Sequence, residues 1–373
     1  MATTFSRVSD VTVKLAVSSP AAVTGLGNVM IIAAQATTTT TTTTTAGAAT
    51  TGNATGGATV DDGVITSITD STSGAVFKTY PTLDVLAKDF DSSTNVYKKA
   101  KTYFDQENPS DRISVLTYQS GKATDALGAF WNADWTFAVL ADNKDTNILD
   151  IANVFEANED HLLVIQVENA SDLATYKSLN YTIGCVHKND EAMDAALLGR
   201  CASLTVGSIT WKFKDLKDIT PQNVTAGEKA AIDAAHGIAY ITVHGKNQTS
   251  EGFVLAGEYI DEIHGEIWVK NTMESTLENL LQVNDKVPYD AAGIAMVQGA
   301  VNAVLQTATD QGIVLTDKDG KGQFSVAATD RLAQSAADLS ARKYAGCSFT
   351  YKPSAAIHTV EVNGTVDSST ILG

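Results

Sequence analysis

Two helices joined by a proline turn constrain this chain more than any other feature. They lie in the run Gly257–Leu305, GEYIDEIHGEIWVKNTMESTLENLLQVNDKVPYDAAGIAMVQGAVNAVL. From Glu266 to Gln282, the residues Val269, Met273, Leu277, Leu280 and Leu281 recur at helical spacing, and Glu274, Glu278 and Asn279 mark the opposite face. Asn284 to Pro288 then breaks the pattern. Asp290 predicts an N-cap, with Tyr289 placed to pack on Ile294 as a hydrophobic staple. Ile294, Val297, Val301, Val304, Leu305 and Ala308 keep the same spacing up to a stop at Gly312. The helix pair, 266–282 and 290–311, is therefore expected to centre a core built from Trp268, Met273, Leu277, Ile294, Val297, Val301 and Leu305.

The remaining chain is read around this pair. Val11, Val13, Leu15 and Val17 alternate with smaller or polar residues, the period of a half-buried strand, and Asn28 to Gln35 reads as a second, more fully apolar strand. Residues 36–74 are a compositional insert with nine threonines from Thr37 to Thr45; a run without alternating apolar residues buries nothing. In its later half, Val60, Val64, Ile65 and Ile68 around Asp61-Asp62-Gly63 predict a small hairpin. From Tyr80 to Arg200 apolar strands alternate with helical patterns, with strands expected near 112–118, 135–141, 161–167 and 181–187, which argues for an α/β layer with a largely parallel sheet. A capping box, Thr225 with Glu228, opens a helix that ends at His236-Gly237, and a strand follows over 238–244. At the C-terminus Cys347, Phe349 and Tyr351 share one strand face, Pro353 breaks, and His358, Val360 and Val362 share the next.

Composition excludes some classes of function. With 373 residues, 44% of them apolar and 6 prolines, the chain is long enough for two or three cores and reads as globular. A net charge of −17 disfavours nucleic acid as a partner, because phosphate affinity comes from Lys and Arg. Cys185, Cys201 and Cys347 are odd in number and widely spaced, fitting neither a disulfide framework nor a CxxC metal site. No signal-like N-terminus is apparent, and runs such as Val29 to Ala34 are too short to span a bilayer, so synthesis in a cytoplasm without direct membrane insertion is expected.

Motifs that would carry chemistry come close and fail. Gly25-Leu-Gly27 begins a dinucleotide fingerprint, but Met30 stands at the third glycine position. Gly121-Lys122 lacks the earlier glycine and the following Ser/Thr of a P-loop. Asp317 and Asp319 match the first ligands of a calcium loop, whereas Lys321 and Ala328 stand where oxygen ligands belong. The six histidines form no ligand spacing. Acidic pairs such as Asp61 with Asp62 and Asp261 with Glu262 look exposed and solvated. No catalytic, cofactor-binding or metal residues are assigned.

The order of a glycine, an acidic cluster, Trp268, Asn284-Asp-Lys-Val-Pro-Tyr289, Ala292-Gly-Ile294 and a long apolar helix resembles the contractile tail sheath proteins of bacteriophages, specifically a compact sheath subfamily. The likeness extends more weakly from the Val11–Val17 strand through Tyr80-Pro-Thr-Leu-Asp84 to the closing strands after Gly346. It implies a mixed α/β (α+β) fold with extended N- and C-terminal strands that pair with neighbouring subunits. The arms would be Val11, Val13, Leu15 and Val17, and Thr359, Val360, Glu361, Val362 and Asn363. It also implies a structural, non-enzymatic subunit without cofactor, which polymerises with itself in rings around a tail tube protein and meets baseplate and tail terminator proteins in the sheath of a virion. Glu258, Asp261, Glu262 and Glu266 are the candidates to face the tube. The implied organisation is an N-terminal arm (1–35), a Thr-rich insertion (36–74), an α/β domain (75–205), a polymerising domain (206–345) and C-terminal strands (346–373). Two other readings stay open: a small-molecule-binding α/β enzyme with its site at strand ends in 80–200, and another virion tail or shell protein such as a tube subunit.

Overall fold

Apolar runs too uniform to alternate become a parallel sheet covered on both faces. In a computed structural model that describes residues 26–35 and 63–365, β1 (Val29–Ala34) lies between β4 (Ile113–Tyr118) and β5 (Phe137–Leu140), parallel to both. The hairpin β2 (Thr66–Thr69) and β3 (Val76–Tyr80) adds antiparallel to β4. From β5 the sheet continues in parallel through β6 (Leu162–Val167), β7 (Thr182–Val186) and β8 (Gly237–Val243). The antiparallel strand β9 (Lys246–Thr249) closes the far edge, giving nine strands in the order β2-β3-β4-β1-β5-β6-β7-β8-β9. Every residue of β5 and β7 is buried.

Helices α1 (Leu83–Leu86), α2 (Asn95–Phe104), α3 (Ala123–Phe130), α4 (Ile148–Asn158), α5 (Met193–Cys201) and α6 (Ala226–Ala234) cover this sheet. Their starts follow local chemistry: Thr94 accepts from the Tyr97 amide at 3.2 Å, and Thr225 and Glu228 form the reciprocal capping box. Helices α2 and α5 approach so closely at Gly199 that a Cβ there would stand 2.3 Å from the Tyr103 carbonyl oxygen.

A second core is built from α7 (Ile260–Val283), α8 (Ala291–Gln311) and the antiparallel ribbon of β10 (Phe324–Ala328) and β11 (Cys347–Tyr351), with the short α9 (Ala336–Ser340) between the two strands. It buries Val269, Met273, Val301, Val304, Leu305 and Ala308, and Trp268 and Leu277 pack partly buried against it. Helix α7 belongs to both cores, since Ile260, Ile263 and Ile267 lie in the first and Val269 and Met273 in the second. Asp290 caps α8 through the amides of Ala292 and Gly293, and Gly312 ends it with φ +86°, a conformation that strains any residue with a Cβ. By length and composition α8 resembles a membrane span, yet Ile294, Val301, Val304 and Leu305 are buried within the fold.

Several expectations need correction. Helix α7 starts at Ile260, not Glu266, because Ile260, Ile263 and Ile267 continue the apolar stripe beneath acidic neighbours; its last turn leaves Leu281 and Val283 exposed. Val297 is only half-buried, and the Tyr289 ring faces Tyr344 at 5.9 Å while its hydroxyl donates to the Lys343 carbonyl. The hairpin turns at Asp70–Gly74, where the Asp70 carboxylate accepts from the Ser73 amide and hydroxyl, both at 2.6 Å, and not at Gly63. Between β6 and β7, where the alternation of strands and helical patterns predicts a helix, the chain makes a 3-10 turn (Ala170–Tyr176). Residues 358–362 form no strand. The expected strand of Val11, Val13, Leu15 and Val17, the Thr37–Thr45 run and Asp61-Asp62 lie outside the described residues.

Candidate polymerisation surface

The β10–β11 ribbon alternates with period two. Phe324, Val326, Cys347, Phe349 and Tyr351 pack on the second core, and Ser325, Ala327, Ser348 and Thr350 face outward, with the Ser325 and Thr350 hydroxyls 2.8 Å apart. Among the described residues each of the two strands pairs only with the other, so the ribbon keeps two outer edges. The Val326 carbonyl is held by the Gln298 side-chain amide at 3.3 Å.

Beyond β11 the Ser354 amide donates to the Ile313 carbonyl at 2.9 Å, and the chain then runs out as a tail. Thr359, Glu361 and Asn363 are exposed along it, and so are three large apolar side chains: Ile357 at 77%, Val360 at 74% and Val362 at 83%. Alternation survives in the tail sequence, where Val360 and Val362 are interleaved with Thr359, Glu361 and Asn363. What it lacks is a partner strand within the described chain.

The acidic end of α7 is less exposed than its sequence suggests. Glu258 stands in solvent, whereas Asp261, Glu262 and Glu266 are half-buried. Asp261 and Glu262 line a small crevice with Gly207, Ile313, Tyr351 and Pro353 at the seam between the two cores. They occupy the first turn of α7, where the helix dipole favours negative charge. Burial nevertheless raises the carboxyls of Asp261 and Glu262 above their ordinary range, and in Glu262 the nearby Asp261 and Glu258 add to it. Glu266 is pushed up to about 7, by burial first and by Glu262 and Glu258 second. None of the four forms an ion pair among the described residues, and Asp261 Oδ1 is buried without a hydrogen-bond partner. Burial, with Glu266 and Glu262 as lesser causes, likewise raises the Tyr351 hydroxyl across the seam.

A cleft of about 310 Å³ opens between α2 and the segments that follow β5 and β7, the position where α/β sheets often hold ligands. Its deepest cation is committed: Lys99 is ion-paired with the fully buried Asp194 and donates to Asn143 Oδ1 at 2.6 Å. Asn143 in turn donates to Asn189, and Asn189 to Glu168, both at 3.0 Å. Among the described residues no group of three His, Cys, Asp or Glu side chains is placed to hold a metal. His161 and His264 are driven down to about 3 and about 4 by burial and stay neutral within aromatic packing, His161 stacked 3.6 Å from Trp135. Asp317 accepts from the amides of Asp319 and Lys321, both at 2.9 Å, which makes its loop a self-contained turn.

Residues 260–366, the lobe built on α7, α8, the ribbon and the tail, match the C-terminal domain of E217 tail sheath protein gp31-like proteins. This lobe is thus similar to a tail sheath C-terminal domain. Solved structures agree with the chain's fold over nearly its whole length. A chain of the anti-feeding prophage baseplate, 6-fold symmetrised, superposes with a TM-score of 0.67 at 10% identity, covering 98% of this chain and 100% of that one. The sheath complex of the extracellular contractile injection system PVC in its contracted state gives 0.63 at 10% identity, covering 99% and 100%. The helical sheath of the anti-feeding prophage in its contracted state gives 0.63 at 12%, covering 97% and 100%. No curated protein sequence matches the chain. The comparisons thus give a sheath-like fold over nearly the whole chain and a match to a sheath C-terminal domain over residues 260–366.

Sequence reading passed over three features of this surface. Strand β10 is hidden in the sequence because FSVAA has two large apolar residues only, although Phe324 and Val326 carry the right period. Tyr351 was read as a strand residue and not as the lid of the acidic seam. His358 was read as part of a strand, and its contacts come from segments far away in sequence.

Proposed function

We propose that this protein polymerises around a tail tube as a contractile jacket and drives the tube through a cell envelope, with subunits laced together by strand exchange. The tail residues Thr359, Val360, Glu361, Val362 and Asn363 add to the ribbon edge of a neighbouring copy, and Val11, Val13, Leu15 and Val17 serve as the arm at the other end. One observation carries this reading: an open-edged two-stranded ribbon sits beside an alternating tail whose valines are exposed. Burying Val360 and Val362 is worth about 1.5–3 kcal/mol each, and each added backbone hydrogen bond a net ~1 kcal/mol. Pairing of this kind needs little side-chain specificity and bends without unpairing, which suits a lattice that must change pitch intact.

The tube is met by the acidic end of α7, with Glu258 and Glu262 outermost and Asp261 and Glu266 behind them, opposite basic groups of the tube protein. Screened charges separate at low cost, a property suited to a contact that holds before firing and lets go afterwards. Baseplate and terminator proteins close the two ends of the polymer. Deletion of all residues after Ala356 tests the strand exchange: the truncated protein stays folded and soluble but forms no long sheaths in negative-stain microscopy. Long sheaths from that protein would refute the assignment.

A further inference from the structure

The tail from Ala355 to Thr365 is exposed at every position except one. His358 is that exception, with a side chain only 9% exposed. Its Nε2 lies 2.6 Å from the Thr210 hydroxyl, and its Nδ1 faces the Glu251 carboxylate at 3.6 Å. The ring meets Tyr259 edge-on at 4.8 Å and Phe213 at 6.2 Å. Glu251 is itself ion-paired with Lys212 at 2.5 Å, so the carboxylate facing the ring has a cation of its own. A lone buried knob in an otherwise exposed tail is not core packing, because nothing around it in sequence follows it inward.

We infer that His358 is a clasp that sets the working length of the C-terminal arm. This rests on the proposed role of residues 359–363 as a strand arm. Engaged, the clasp makes the arm start at residue 358, four residues before Val362. Released, the arm starts at the Ser354 amide bond to Ile313, and its reach grows by up to about 13 Å, at about 3.3 Å per extended residue. The subunit therefore carries an arm of two lengths, short for fast and accurate pairing and long when neighbours move apart. Doubling the tether from four residues to eight lowers the effective concentration of the arm at a docked neighbour about threefold.

The test uses the full-length protein. In the free subunit, thermolysin cuts the Ala356–Ile357 bond slowly, because the buried His358 denies the protease an extended substrate, and Glu-C cuts after Glu361 freely. In His358→Ala the Ala356–Ile357 bond is cut at least tenfold faster while cleavage after Glu361 is unchanged; Thr210→Val, which removes only the hydroxyl partner, falls between. Polymerisation of His358→Ala at matched concentration is about threefold slower. Equal cutting of Ala356–Ile357 in wild type and both variants overturns the clasp, and an unchanged polymerisation rate overturns its control of arm length. Sheath formation by the protein truncated after Ala356 would instead refute the arm and leave the cleavage result standing.

Discussion

Replacing Glu266 by Gln removes a charge that the folded protein holds at a cost. Its carboxyl lies half-buried on α7, with Glu262 one turn before it and Glu258 nearby, and Tyr351 and Tyr181 also sense its charge. Raising a carboxyl from 4.5 to about 7 corresponds to about 3 kcal/mol between the two protonation states. Solvent reaching the half-buried group trims this to about 1–2 kcal/mol of stability. The sign follows from proton uptake. Above pH 7 Glu266 is charged in both states and the folded state carries the penalty; between about 7 and 4.5 the folded state binds the proton first, so stability rises as pH falls; below that the gain is complete. Gln keeps the size of the side chain and never carries the charge. Urea unfolding should find Glu266→Gln more stable than wild type by about 1–2 kcal/mol at pH 8, with the difference vanishing by pH 4.5. A difference independent of pH, or a variant less stable at pH 8, would show that Glu266 is compensated by a cation and that the seam is not repulsive.

Other perturbations reach different parts of the molecule. Lys99→Met leaves Asp194 charged and buried and should cost about 3–5 kcal/mol in urea unfolding, and adding Asp194→Leu should recover most of it, as expected when both members of a buried pair are replaced by apolar groups. Leu305→Ala empties a fully buried position between α7 and α8 and should lower stability by about 2–5 kcal/mol, with early loss of near-UV signal from Trp268. Glu258→Lys with Glu262→Lys should abolish co-sedimentation with tail tubes while leaving tube-free subunits folded, and charge reversal on the tube protein should restore it; failure of both would dismiss the tube-facing assignment.

The parts of this fold legible in sequence are those decided by neighbouring residues. Runs such as VMIIAA and LLVIQV are apolar on both faces and predict parallel strands, and Asp290 and Gly312 bound α8 because cap chemistry is local. Where a decision is made at a distance, sequence is silent. Strand β9 (KNQT) is a polar edge that exists because β8 lies beside it. The first six residues of α7 fall outside the helix that sequence predicts from Glu266, since Asp261 and Glu262 separate Ile260 from Ile263, and it is the seam behind them that those two carboxyls line. The tail shows the opposite case: its alternation is plain in sequence, yet it forms no strand, because a strand is a property of two chains and the described residues supply one. The His358 socket draws on Thr210, Glu251 and Tyr259, which no local pattern connects.

The sharing of α7 between two cores has a mechanical consequence. A helix of 24 residues is about 36 Å long, and its first two turns are locked into one lobe while its middle is locked into the other. Rotating the lobes against each other would mean unwinding the helix or tearing Ile267 and Val269, two residues apart, out of different cores. The subunit is therefore a stiff beam. In any polymer made from such beams, a change of pitch or diameter has to be absorbed at the joints, and the work available from contraction is set by the contacts between subunits and not by the folding of each one.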